Sequence, residues 1–207
     1  MAKQKRDAEA TKARILKNAI KLFAKKGYDG TNVDEIADKS GVNKALLYYY
    51  FKNKSNLYST IMNELLENIY HDISQKNKTC QNICEEMEAF IKTYAKYAFT
   101  HPYFPAILLR ELSNSGAHLP DMIFSNLRKL FTLLGDILDR GEKEGRFEKS
   151  IPMVIHFMIL GSINLFITTK SLRDKAYKLE GIETCSHCDI DEVTEYIYKI
   201  IKKGIRK

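Results

Sequence analysis

Two groups of residues in this sequence have the types and spacing to do chemistry. Cys80 and Cys84 stand one helical turn apart, and Cys185-Ser186-His187-Cys188 has CxxC spacing with a histidine inside it. Thiolates and imidazoles so arranged bind zinc or exchange thiol for disulfide, so a thiol- or metal-responsive role for Cys80/Cys84 or Cys185/Cys188 is one reading. The two pairs are expected at opposite ends of a helical body, which argues against one four-cysteine site, and no metal or other cofactor is expected. The second group is Lys44-Ala45-Leu46-Leu47-Tyr48-Tyr49-Tyr50, followed by Lys52 and Lys54. Exposed tyrosines beside lysines suit contact with phosphate, because each ring packs while its hydroxyl donates. Three consecutive helical tyrosines point about 100° apart, so they cannot all be buried. No nucleophile–base motif, phosphate-binding loop or HExxH pattern is present, and no catalytic residue is assigned. The chain reads as no enzyme; a helical enzyme or scaffold that keeps such a basic segment is the competing class.

The charge distribution favours the second group. The 207 residues carry a net charge of +7, and the whole excess lies in residues 1–54, with 13 Lys and Arg against six Asp and Glu. The remainder is balanced. Such asymmetry describes a small polyanion-binding head on a neutral body. A hydrophobic content of 44% excludes a disordered chain, and four prolines with ten glycines leave few turns for an all-β fold. Four cysteines and a Lys-rich, apolar-poor start point to a reduced cytoplasm rather than a secreted disulfide scaffold.

The elements that must position these residues are helices. Ile15, Ala19, Leu22 and Phe23 define a first helix from about Asp7 to Lys26, stopped by Gly27. Thr31 reads as the N-cap of a short second helix ending near Ser40, with Asp34 at the N3 position. Gly41 makes the turn, and Asn43 caps a third helix through Tyr50 that buries Leu47 and Phe51. Asn53 caps a fourth, with Leu57, Ile61, Leu65, Ile69 and Ile73 along it. A fifth runs from Cys80 to Thr100, a sixth from Phe104 to Leu112, and a seventh from Pro120 to the Gly141–Gly145 break. Ile151 to Ile167 holds no charge, yet Pro152, His156, Ser162 and Asn164 interrupt it. It reads as a helix buried on all sides rather than a membrane span. The last helix starts at Asp189, with Glu192 at N3 and a narrow seam of Val193, Ile197, Ile200 and Ile201. The expected fold is therefore all-α with about nine helices, divided into residues 1–52, a helix-turn-helix head, and residues 53–207, a helical body.

Residues 10–58 resemble the DNA-binding head of the tetracycline-repressor (TetR) family of bacterial regulators. The residues that carry the resemblance are Leu22-Phe23, Gly27-Tyr28, Thr31 to Ala37, and Gly41-Val42 through to Leu57. The resemblance implies a repressor acting on double-stranded operator DNA. It places Thr31 and Asn32 at a phosphate, Asn43, Lys44, Ala45 and Leu46 at bases or adjacent phosphates, and Tyr48, Tyr50 and Lys54 at phosphates. Tyr49, on the same exposed side, joins them. Ala45 and Leu46 depart from the Gly or Pro and the Thr frequent there, so their contacts are apolar, for example with a thymine methyl.

The body is expected to bind a small hydrophobic effector and to dimerise. Met87, Phe90, Tyr94 and Tyr97 would form one pocket wall, with Phe131, His156 and Phe157 opposite. Val154, Met158, Gly161, Ser162 and Leu165, together with Val193, Ile197, Ile200 and Ile201, would form the homodimer interface. No membrane partner is expected. The fourth helix, running from the head into the body, is the expected carrier of the effector signal.

Overall fold

Apolar residues at helical spacing are followed by a cap or a glycine at nearly every break, and the chain folds accordingly. The structure, a computed structural model, describes residues 2–119, 121–180 and 188–207. Among them run ten helices: α1 (Ala2–Lys26), α2 (Val33–Ser40), α3 (Lys44–Phe51), α4 (Lys54–Asn77), α5 (Ile83–Thr100), α6 (Tyr103–Ser113), α7 (Asp121–Lys143), α8 (Pro152–Thr168), α9 (Lys170–Glu180) and α10 (Ile190–Ile205). The expected Pro120 start of α7 lies outside the described residues. One more helix forms than the nine expected. It is α9, whose Leu172, Tyr177 and Leu179 are exposed and give no buried apolar stripe to read. Its Arg173 guanidinium lies 3.8 Å from the centre of the Phe166 ring and donates to the Phe166 carbonyl.

The chain divides into two compact units. The first takes the residues up to Leu65 together with Ala106–Phe124, and the second takes Leu66–Pro105 with Ser125–Lys207. The first unit is thus larger than the expected 1–52 head. Leu57, Tyr58 and Ile61 of α4 are buried in it, and the α6 segment Ile107–Glu111 adds further buried residues. Three helices, α4, α6 and α7, carry residues of both units.

In the second unit, α5 and α8 contribute much of the core, with Met87, Phe90 and Tyr94 facing inward from α5. Arg140 of α7 grips Glu86 of α5 through two parallel hydrogen bonds of 2.8 and 2.5 Å, the bidentate geometry that suits a guanidinium and a carboxylate. Asp189 caps α10 by accepting the Glu192 N–H at 2.8 Å, and Glu192 returns a bond to the Asp189 N–H. The end of α10 is pinned where the Glu148 N–H donates to the Ile205 carbonyl at 2.6 Å. Gly141 is required nearby, since a Cβ there would meet the Phe147 ring at 1.9 Å.

Helix α8 is apolar on both faces. Ile155, Ile159 and Ile163 are buried on one side together with two polar residues, His156 and Asn164. The Asn164 side-chain oxygen accepts from the Tyr94 hydroxyl at 2.9 Å, whereas His156 Nδ1 is buried without a hydrogen-bond partner among the described residues. The His156 ring lies 4.0 Å from that of Phe131. Burial lowers the His156 pKa from 6.5 to about 4. The unfolded chain binds this proton at about pH 6.5, so the group's contribution to stability is full above that value and is lost as pH falls toward 4. Over that window the wild-type protein should lose up to about 3 kcal/mol more stability than His156→Phe, which keeps the ring contact. Denaturant unfolding at pH 7, 5.5 and 4.5 measures this, and parallel losses would show that His156 takes up its proton equally in the folded and unfolded chain.

Candidate nucleic-acid interface

The α2–turn–α3 segment is built from two asparagine caps and one glycine. The Asn32 side chain accepts from the Asp34 N–H at 2.9 Å and starts α2. Thr31, the expected cap, instead buries its side chain and donates to the Gly27 carbonyl at 2.6 Å, closing the turn after α1. The Thr31 hydroxyl is thereby taken off the surface. Gly41 ends α2 at φ +60°, a left-handed conformation that costs a residue with a Cβ about 1–2 kcal/mol. Asn43 then accepts from the Leu46 N–H at 2.7 Å and starts α3. From α1, Arg14 donates to the Ser40 carbonyl at 2.7 Å and Asn18 to the Lys39 carbonyl at 3.1 Å, so the end of α2 is braced before the turn.

With Leu47 and Phe51 buried, α3 turns the rest of its surface outward. Lys44, Ala45, Leu46, Tyr48 and Tyr49 are exposed, Tyr49 at 79%, and Tyr50 is half-buried with its ring edge-on to Tyr49 at 5.4 Å. Lys44 pairs with Asp34 of α2 at 2.9 Å, and that hydrogen bond raises the Lys44 pKa, keeping the ammonium charged. Lys26 at 2.5 Å and Lys39 at 3.3 Å flank Glu35, whose carboxyl is held below its ordinary range chiefly by the bond from Lys26. Lys52, at φ +62°, turns the chain sharply out of α3, and Asn53 caps α4 by accepting from the Asn56 N–H at 2.8 Å. Lys54, next along, carries its ammonium 4.4 Å over the Tyr28 ring.

Behind this face lies a polar cluster that joins α4 to the segment 110–118. The Tyr58 hydroxyl donates to the buried Glu111 carboxylate at 2.7 Å, and burial together with that bond pushes the Tyr58 phenol up, so it stays a donor. His118 places Nδ1 3.3 Å from Glu111 and Nε2 3.2 Å from Asp29. Arg110 donates to the Lys25 carbonyl at 3.1 Å in the last turn of α1. The sequence pattern singles out none of these residues for the head, because the partners are as far apart as Tyr58 and Glu111.

Two family models match the chain. One, described as bacterial regulatory proteins of the tetR family, covers residues 15–61, and the other, the C-terminal region of YsiA-like proteins, covers residues 58–190. The chain belongs to the TetR family. It is 29% identical over 170 residues to the HTH-type transcriptional repressor NicS of Pseudomonas putida, covering 77% of this chain and 76% of that one. It is 27% identical over 173 residues to the fatty acid metabolism regulator protein of Bacillus subtilis, covering 81% and 87%. The fold is similar to that of FadR from Bacillus subtilis in complex with stearoyl-CoA, with a TM-score of 0.73 and 22% identity over 94% of this chain and 99% of that chain. Relatives of this chain are named as transcriptional repressors or regulators, and among the described residues no single helix is long and apolar enough to cross a membrane.

In the body of this TetR protein, Met87, Phe90, Tyr94, Tyr97 and His156 are buried and Phe131 is half-buried. Phe157 is a correction: it is 54% exposed, because it follows His156 around α8 and falls at the edge of the outer face. Val154, Met158 and Leu165 are exposed on that outer face, with Ser162 exposed and Gly161 half-buried between them. On α10, Ile200 is exposed while Val193 and Ile197 are half-buried, but Ile201 is 3% exposed and belongs to the protein's own core. Cys185 lies outside the described residues. Burial, then Glu85 and Glu86, pushes the Cys80 thiol up, which works against a reactive thiolate there.

The caps make a direct prediction. Asn43→Ala should destabilise the protein by about 1 kcal/mol, since the Leu46 N–H loses its partner while α3 keeps its buried residues. Chemical denaturation measures it, and an unchanged midpoint would mean that packing alone starts α3.

Proposed function

We propose that this chain is a homodimeric repressor that reads an inverted-repeat operator with α3 and leaves it when a hydrophobic effector binds the second unit. The observation that carries the reading is the outward run Lys44, Ala45, Leu46, Tyr48 and Tyr49 on a helix whose other side is anchored by Leu47 and Phe51. Polar and apolar side chains so presented fit the major groove, where base edges carry distinct donor, acceptor and methyl patterns. Asn43 and Lys44 supply polar contacts to bases or adjacent phosphates, and Ala45 and Leu46 supply apolar ones. Asn32 at the start of α2, Tyr48, Tyr49, Tyr50 and Lys54 meet the phosphate backbone. Lys44 exchanges its Asp34 partner for a base acceptor on binding. The site of action is the cytoplasm.

The outer face of α8 supports a second copy of this chain as its partner. Val154, Met158 and Leu165 lie along one stripe, exposed by 49%, 45% and 53%, and Ile200 of α10 is exposed by 56%. An apolar stripe of this extent marks an interface in a soluble protein. The similarity to a fatty acid metabolism regulator, and to a fold seen with stearoyl-CoA, supports an effector with a long apolar chain. Met87, Phe90, Tyr94, Phe131 and His156 are the side chains we assign to it. The unpartnered Nδ1 of His156 is the atom we assign to a polar group of that ligand.

Two experiments test this reading. Lys44→Ala should cost about 1–3 kcal/mol against an inverted repeat upstream of its own or a neighbouring gene, and relax preference at one base position. Competition with single-base operator variants measures it; a uniform loss on every sequence would remove Lys44 as a base reader. Met158→Glu, which puts a charge in the centre of the α8 stripe, should convert a dimer to a monomer in sedimentation analysis. A dimer that persists unchanged would place the interface elsewhere.

A further inference from the structure

Lys54 is the one proposed phosphate contact whose ammonium is held over an aromatic ring, and that ring is itself held from three directions. Tyr28 stacks on His118 with ring centres 4.4 Å apart and 25° between planes. It meets the edge of Tyr58 at 5.1 Å and runs parallel to Phe23 at 6.1 Å. Phe23 and Tyr58 are core residues, fixed by packing. His118 comes instead from the loop after α6 and is fixed by polar contacts. Its backbone N–H donates to Glu111 Oε2 at 3.4 Å, its Nδ1 lies 3.3 Å from Glu111 Oε1, and its Nε2 lies 3.2 Å from Asp29. Glu111 is 3% exposed, a carboxylate that burial would penalise without these partners, so the cluster holds a defined geometry.

We propose that His118, fixed between Glu111 and Asp29, is a positioning residue for DNA binding. It holds the Tyr28 ring as the platform on which Lys54 presents its ammonium to a backbone phosphate. A free lysine side chain loses substantial rotamer entropy when it is ordered at a phosphate. A lysine already lying over an aromatic face has part of that order in the unbound protein, and the cation–π attraction directs the charge without neutralising it. Because His118 belongs to the segment following α6, this DNA contact depends on residues far outside the helix-turn-helix. The inference rests on the reading of Lys54 as a phosphate contact.

The test is the salt dependence of operator binding for the full chain, which reports how many phosphates are neutralised rather than how much protein is active. Wild type, Lys54→Ala, His118→Ala and the double variant are titrated onto the same duplex across a range of salt. Lys54→Ala should lower the magnitude of the log–log slope by about one per subunit, His118→Ala should lower it similarly, and the double variant should lower it no further. If His118→Ala does not fold, Asp29→Asn decides in its place, since the Asp29 carboxylate is 82% exposed and its loss disturbs no core. A lower slope in that variant supports the proposal, and an unchanged slope overturns it. A slope reduced by Lys54→Ala but unchanged by His118→Ala overturns the positioning role. Additive losses in the double variant do the same. An unchanged slope in Lys54→Ala removes Lys54 as a phosphate contact and the inference with it, which separates that failure from failure of the His118 link.

Discussion

A carboxylate buried beside aromatic rings has to be partnered, and in the first unit Glu111 sets the terms. Its Tyr58 partner is a residue of α4, and its His118 partner is a residue of the loop beyond α6. Removing either would leave a buried charge short of hydrogen bonds, at a cost of several kcal/mol by comparison with other buried ionic groups. The same cluster fixes Tyr58 against Phe23 at 4.8 Å and Tyr28 against His118, so α1, α4 and the segment 106–124 share one core. Helix α3 is anchored by its buried Leu47 and Phe51, and Lys52–Asn53 leads directly from it into α4, which carries Tyr58.

The order and kind of the helices in the first 60 residues were legible because local chemistry writes them plainly. Gly41 at a left-handed turn, Asn43 before an apolar-periodic run, and Asn53 before the next each have one good structural use. The same is true of Asp189 and Glu192 at α10. The Thr31–Asn32 pair was not resolvable in this way, because both are good caps and the choice between them is made by the Gly27 carbonyl that takes the Thr31 hydroxyl. Helix α9 leaves no buried apolar stripe in the sequence, since Leu172, Tyr177 and Leu179 are exposed. Phe157, on a helix that is apolar all round, and Ile201, on the seam of α10, show the limit of reading apolar faces: which side of a helix meets the protein's own core is set by tertiary contacts. Glu111, His118, Asp29 and Tyr28 converge from distant parts of the chain, and no spacing rule links them.

Helix α8 divides its labour by face. Inward, it holds His156 and Asn164 among aliphatic residues, one polar atom satisfied by Tyr94 and one left without a partner among the described residues. Outward, it holds Val154, Met158 and Leu165 exposed. A buried polar atom without a partner and an exposed apolar stripe each carry a cost, and the effector and the second copy proposed above would offset both with one helix. Helices α4, α6 and α7 each carry residues of both units. For the effector response proposed above, a coupling of about 1–3 kcal/mol, the typical allosteric size, is enough to switch operator occupancy.

The central claim is that effector and operator compete through the protein's conformation, and thermodynamic reciprocity tests it most directly. Affinity for an inverted-repeat promoter duplex is measured with and without a saturating long-chain acyl-CoA, and affinity for that acyl-CoA is measured with and without the duplex. The account predicts that the ligand weakens operator binding by about 10-fold or more, and that the operator weakens ligand binding by the same factor. Tight binding of each, with neither altering the other, would contradict it.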